Sequence, residues 1–126
     1  MKYTELDVWQ QAVALALNIY AETANLPNDE RFGLTAQMRR ASVSIASNVA
    51  EGEGRRFRRD NAKFVLAARG SLYELHTQLV ICERLGYISL DASGKLTSQL
   101  HRVGQLLNGT LRHLKRAADR EARTAT

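Results

Sequence analysis

The sequence predicts an all-α fold, an antiparallel up-down-up-down four-helix bundle. Apolar residues recur at spacings of three and four in four long segments, which is the period of an amphipathic helix. A single proline and few glycines leave those segments unbroken. Helices of about twenty residues are about 30 Å long, and the short connections between them make successive helices antiparallel neighbours.

The first segment, from about Glu5 to Ala24, carries Leu6, Trp9, Val13, Ala16 and Tyr20 on one stripe, widened by Ala12, Leu15 and Ile19. Pro27 breaks the chain, and Asn28 and Asp29 offer a cap for the next helix. That second helix is expected over about Asp29–Glu51, with Leu34, Met38, Ala41, Ile45 and Val49 as its apolar face. The stretch SVSIAS alternates like a strand when taken alone, but the longer helical period from Leu34 to Val49 outweighs it. Gly52 and Gly54 then supply the stop.

Residues 52–60 read as a basic loop, after which Asp60 or Asn61 caps a third helix that continues to about Leu85. Its stripe is Phe64, Ala68, Leu72, Leu75, Leu79 and Cys82, and Gly86 ends it. Gly70 lies inside it, where glycine costs up to about 1 kcal/mol relative to alanine; close approach of another backbone is the usual reason to accept that cost. Asp91 and Ser93 start a fourth helix bearing Leu96, Leu100, Val103, Leu107, Leu111 and Leu114. Beyond Arg116 only alanine, charged residues and threonine remain. Residues 1–118 are therefore expected to form one bundle domain and residues 119–126 a frayed tail.

Composition fits that picture. The 126 residues, 44% hydrophobic and 25% charged, suffice for one domain with a real core and no disulfide. No apolar run approaches the ~18 residues of a membrane span, the amino terminus lacks a signal-peptide pattern, and a lone cysteine suits a reducing compartment. A cytoplasmic protein without a membrane partner is expected. The net charge of +5 is unevenly spread. Residues 1–34 carry −3, residues 35–71 carry +5, residues 72–94 carry −2 and residues 95–126 carry +5. Two basic zones are compatible with nucleic-acid contact, and equally with solubility or pairing between helices or subunits.

The residues offer little for catalysis, and no enzyme, cofactor or metal is expected. His76, His101 and His113 show no i, i+4 pair and no Glu-x-x-His motif. Cys82 keeps register with Leu75 and Leu79 and reads as a small buried hydrophobe rather than a nucleophile. Ser42, Ser44 and Ser47 have no base nearby in sequence, and the GEG at 52–54 lacks the strand and lysine of a phosphate loop.

Two other features stand out. Gln37, Arg40, Ser44, Asn48 and Glu51 form a polar stripe beside the apolar face of the second helix, and Ser71, Glu74 and Gln78 form a matching row on the third. Pointing inward, the rows would make one hydrogen-bonded network, with Arg40 meeting Glu51 or Glu74, that fixes register or subunit pairing; pointing outward, they are two solvated faces. The second feature is Arg55-Arg56-Phe57-Arg58-Arg59 with Lys63. Arginines grip phosphates bidentately and a phenylalanine between them can stack on an unpaired base, unless Phe57 tucks against the bundle end. Arg112, Lys115 and Arg116 add a second basic row on the fourth helix.

With LDVWQ at 6–10, IY at 19–20, LP at 26–27, ERFGLTAQMRRASVSIASNVAEG at 30–52, ARGSLYELHTQL at 68–79 and LGYI at 85–88, the sequence resembles the four-helix bundle proteins encoded in intervening sequences of bacterial 23S ribosomal RNA genes. Ala46 departs from the proline common in that family, which should leave the second helix straighter, and the fourth helix matches only in character. The resemblance implies an antiparallel bundle assembled as a ring, typically a homopentamer, with no established activity for most members. A related branch serves diversity-generating retroelements, where a basic barrel binds nucleic acid and a reverse transcriptase. By that resemblance Arg40, Ser44, Asn48, Glu51, Gly70, Glu74 and Gln78 are interface candidates, and the arginines a nucleic-acid surface. The expected function is a non-enzymatic homo-oligomer that binds RNA or DNA through backbone phosphates. The alternative is a scaffold that docks an acidic protein, such as a reverse transcriptase or a ribosome-associated protein, without nucleic acid.

Overall fold

A computed structural model describes residues 2–124 and contains four helices: α1 (Asp7–Thr23), α2 (Leu34–Glu53), α3 (Arg58–Arg84) and α4 (Leu90–Thr124). Short 3-10 turns at Tyr3–Glu5 and Asn28–Glu30 precede α1 and α2, and there is no strand among the described residues. Each helix packs against its neighbours in sequence and α1 closes on α4, while the backbones of the diagonal pairs, α1 with α3 and α2 with α4, stay more than 8 Å apart between Cα atoms. Contacts between α2 and α3 run Met38–Cys82, Arg40–Glu74, Ser44–Ser71 and Gly52–Asn61, one number rising as the other falls. The bundle is thus antiparallel and up-down-up-down. No described helix is long and apolar enough to cross a membrane.

Leu15, Ile19, Ile45, Leu75, Val103 and Leu107 have no exposed surface and fill the centre. Each such side chain contributes roughly 1.5–3 kcal/mol by leaving water. The buried faces of α2, α3 and α4 follow the expected stripes, except that Val65 rather than half-buried Phe64 leads the α3 face and that Leu34 and Leu111 are only half-buried. In α1 the buried face is Val8, Ala12, Leu15 and Ile19, so the expected leading stripe of Trp9, Val13, Ala16 and Tyr20 lies at the edge. Apolar residues cover so wide an arc of α1 that both rows keep helical spacing.

The ends differ from expectation in several places. Helix α2 begins at Leu34, where the Glu30 carboxylate accepts the Leu34 N–H at 3.3 Å. Helix α3 begins at Arg58 with Phe57 at its N-cap, so Asp60 and Asn61 lie inside its first turns. It ends as expected at Gly86, whose φ of 76° is left-handed. There Tyr87 N–H donates to Cys82 O and Gly86 N–H to Glu83 O, both at 3.0 Å, which is the Schellman pattern. Ser89 caps α4 in place of Asp91 or Ser93, its hydroxyl accepting the Ala92 N–H at 3.1 Å, while Ser93 is buried and donates to Glu83 at 2.6 Å. Residues 119–124, expected to fray, continue the helix beyond the buried Ala117, and Glu121 is paired to Arg58 at 3.5 Å. Alanine is the best helix former, and that pairing gives the segment a tertiary anchor. Residues 125–126 lie outside the described residues.

The close approach expected at one glycine is made at another. Gly52 does not stop α2, which continues to Glu53 with Gly54 as its C-cap. A Cβ at Gly52 would strike Asn61 Oδ1 and come within 3.1 Å of Asn61 O and Phe64 Cβ, so this is where two helices need glycine to close together. A Cβ at Gly70 would meet nothing within 4 Å, so the close approach expected there is not made within the chain. Gly52→Ala should therefore destabilise the bundle by about 1–3 kcal/mol through overpacking. Gly94→Ala, in open space on α4, should stabilise it by up to about 1 kcal/mol. Urea unfolding of both variants measures the contrast, and equal effects would contradict it.

Candidate nucleic-acid interface

The two basic zones meet at one end of the bundle. Gly54 and the residues after it turn the chain from α2 into α3 and leave Arg55, Arg56, Phe57 and Arg58 on the rim of a cleft of about 700 Å³. The opposite wall belongs to α4, through Gln105, Gly109, Thr110 and His113. The floor is largely apolar, with Val8, Val49, Val65, Leu106 and Leu114, and also holds the buried Asn61 beside the Glu53 carboxylate. Arg112 and Arg116 continue the α4 row of Gln105 and Gly109 at helical spacing, and Lys115 lies beside them, all three exposed. Residues separated by half the chain thus share one cationic end.

The cations differ in how firmly they are held. Arg55 pairs with Glu51 at 3.1 Å and lies over the Phe64 ring at 4.4 Å. Arg58 pairs with Glu121 at 3.5 Å. Arg56 and Arg59 flank the Phe57 ring, at 5.2 and 5.8 Å from its centroid. Phe57 is half exposed at the rim rather than tucked away. Lys63 is paired with Asp60 at 3.7 Å and, like Arg59, does not line the cleft. Carboxylates therefore neutralise part of the cluster that the sequence displays as free charge. Exposed pairs of this kind contribute little to stability, about 0–1 kcal/mol, and yield readily to a phosphate.

The polar rows of α2 and α3 do face each other, as two clusters rather than one network. Asn48 donates its amide to Ser44 O at 2.9 Å and Ser44 Oγ at 3.0 Å, and the Ser44 and Ser71 hydroxyls are 2.9 Å apart. Separately, Arg40 pairs with Glu74 at 3.6 Å, and Gln78 donates to the same carboxylate at 3.4 Å. Glu51 turns away to Arg55. These rows sit along the α2–α3 seam inside one chain, whereas Gly70 lies on the outward side of α3.

The histidine pattern offers one surprise. His76 on α3 and His101 on α4 meet edge to face at 5.9 Å, a proximity that spacing along either helix does not reveal. No group of three or more histidine, cysteine, aspartate or glutamate residues suited to a metal occurs among the described residues. Cys82 is fully buried 3.4 Å from the Met38 sulfur. Burial first, and then the Glu30 charge, push its thiol pKa up, away from nucleophilic character.

A family model described as 23S rRNA-intervening sequence protein matches residues 4–109. The chain belongs to this family. The family match spans α1, α2, α3 and the part of α4 that forms the cleft wall as far as Gly109, leaving the Arg112–Arg116 row beyond it. A crystal structure of a protein of unknown function from the S23 ribosomal protein family of Bacteroides thetaiotaomicron has the same fold. It superposes with a TM-score of 0.79, at 22% sequence identity, over 89% of this chain and 99% of that one. No curated protein matches the chain.

The seam makes a measurable contribution. Ser71→Ala removes one of the two side-chain partners of the Ser44 hydroxyl and should cost about 0.5–1.5 kcal/mol. Glu74→Gln, which removes an exposed pair, should cost less than about 1 kcal/mol. Denaturant unfolding checks the order, and a Ser71→Ala variant as stable as the parent would contradict the hydroxyl pairing.

Proposed function

We propose that this chain is a non-enzymatic homo-oligomer that binds RNA or DNA through backbone phosphates at the basic end of the bundle. The observation that carries the reading is that Arg55, Arg56 and Arg58 rim a cleft whose opposite α4 wall runs on, at helical spacing, into Arg112 and Arg116, which lie at the same end without lining the cleft. Several of the rim guanidinium groups are held in place by Glu51, Glu121 and aromatic rings, so little freedom remains to be lost when phosphates bind.

The assembly rests on two apolar surfaces. One is the groove between α1 and α2, of about 460 Å³, walled by Tyr3, Trp9, Val13, Leu17, Tyr20 and Val43. The other is the outward row of α3, Leu66, Gly70, Tyr73, Thr77 and Ile81, where Tyr73 is 58% and Leu66 47% exposed. Large exposed apolar patches mark interaction sites. Two different surfaces, one between α1 and α2 and one on α3, suit head-to-tail contact, which closes into a ring when the rotation permits. A homopentamer is the ring that the family resemblance supports, and the open space at Gly70 would let a neighbouring helix approach closely. Cytoplasmic location belongs to the same proposal, on the strength of the single, buried, reduced cysteine.

Fluorescence anisotropy with a structured RNA tests the binding. With about six phosphates neutralised, affinity should fall roughly 10³-fold or more between about 50 and 200 mM salt. Replacing Arg55, Arg56, Arg58 and Arg59 by alanine should weaken binding and lower the salt slope by about 1 for each phosphate no longer neutralised. Binding that ignores salt, or survives all four replacements, would contradict it. A pull-down partner that persists after nuclease treatment would point instead to an acidic protein docked on the same arginines. Light scattering of the same samples should give the mass of a pentamer, and a monomer's mass would overturn the assembly.

A further inference from the structure

We propose that the cleft at the basic end takes the base of an unpaired nucleotide, while the flanking phosphates lie on its arginine rim. The inference rests on the nucleic-acid reading above and names its substrate class, single-stranded or bulged strands rather than continuous duplex. The cleft volume of about 700 Å³ falls within the range of about 300–1,000 Å³ typical of small-ligand sites. A base held in a duplex stack cannot enter such a space, whereas an unstacked one can be turned into it.

The lining fits a base better than a wholly apolar group. Val49, Val65, Leu106 and Leu114 offer a surface for a ring face, and Phe57 stands at the rim. Gln105 and His113 bring hydrogen-bonding groups that no other described residue engages. A hydrocarbon chain would leave those groups unpaired, which costs free energy, whereas the edge of a base can meet them. Arg56 is the rim guanidinium that stacks on Phe57 without a carboxylate partner among the described residues, unlike Arg55 and Arg58. It is therefore placed to receive the phosphate of the inserted nucleotide at least cost. Thr110 spends its hydroxyl on Leu106 O at 2.9 Å and is neutral in this choice.

Gly109 gives a selective test. It lies on the α4 wall of the cleft, and a Cβ there would meet only Arg112 Nη2 at 3.7 Å, an ordinary contact. Gly109→Leu fills the cleft, keeps every arginine and improves helix propensity. Anisotropy is measured at one salt concentration with a single-stranded RNA, its perfect duplex and the same duplex carrying a bulge. The parent protein should favour the single strand and the bulge over the duplex by roughly tenfold. G109L should remove that preference while leaving duplex affinity and the circular-dichroism melt unchanged. Should G109L melt early, Gln105→Ala serves instead, and should lower affinity for the single strand but not for the duplex. Equal affinities in the parent, or a preference that survives in the variants, would overturn the base-in-cleft inference and leave phosphate binding standing. Failure of every probe to bind at low salt would overturn both.

Discussion

Gly52 lets α2 and α3 close to van der Waals contact one turn before the chain reverses, and much of the bundle's geometry follows from that contact. The missing side chain admits Asn61, which is buried and reaches back to Glu53 with its amide at 3.3 Å. With the helices locked there, the intervening residues have no room to enter the core and must stand at the bundle end. The same register carries the seam onward to the Ser44–Ser71 and Arg40–Glu74 pairs and to the Met38–Cys82 contact near its far end. One small residue thus sets both the helix pairing and the position of the arginines.

That placement explains why the basic end is not simply a patch of charge. Unscreened arginines crowded around one turn would repel each other, and carboxylates from the preceding helix turn and from α4 offset this. The resulting pairs are exposed and therefore weak. They hold the guanidinium planes in place while leaving them available to a stronger anion. The length of α4 matters for the same reason, since its last turns bring Glu121 to Arg58 and its middle turns form the far wall of the cleft.

Much of this is legible in the sequence, and the failures share a cause. Four helices, the apolar faces of α2, α3 and α4, the Gly86 stop and the facing polar rows follow from local periodicity and turn chemistry. Which row of α1 turns inward does not, because Trp9, Val13 and Tyr20 keep the same spacing as Ala12, Leu15 and Ile19. A glycine is visible in a sequence but its neighbour across the bundle is not, so the close approach expected at Gly70 occurs instead at Gly52. The end of α4 reads as a tail because alanine and charge carry no stripe, yet its partner, Arg58, lies in a distant segment. The arginine cluster is legible as residues, whereas the cleft exists only because α4 supplies Gln105, Gly109 and His113 opposite it.

The most direct test of the basic end as the binding surface is photochemical crosslinking of bound RNA followed by peptide mapping. The account predicts adducts at Phe57 and its neighbours 55–59, and on α4 between residues 105 and 116. Adducts confined to the aromatic residues of the α1–α2 groove, Trp9 and Tyr20, or to Tyr73 on the outward face of α3, would contradict it.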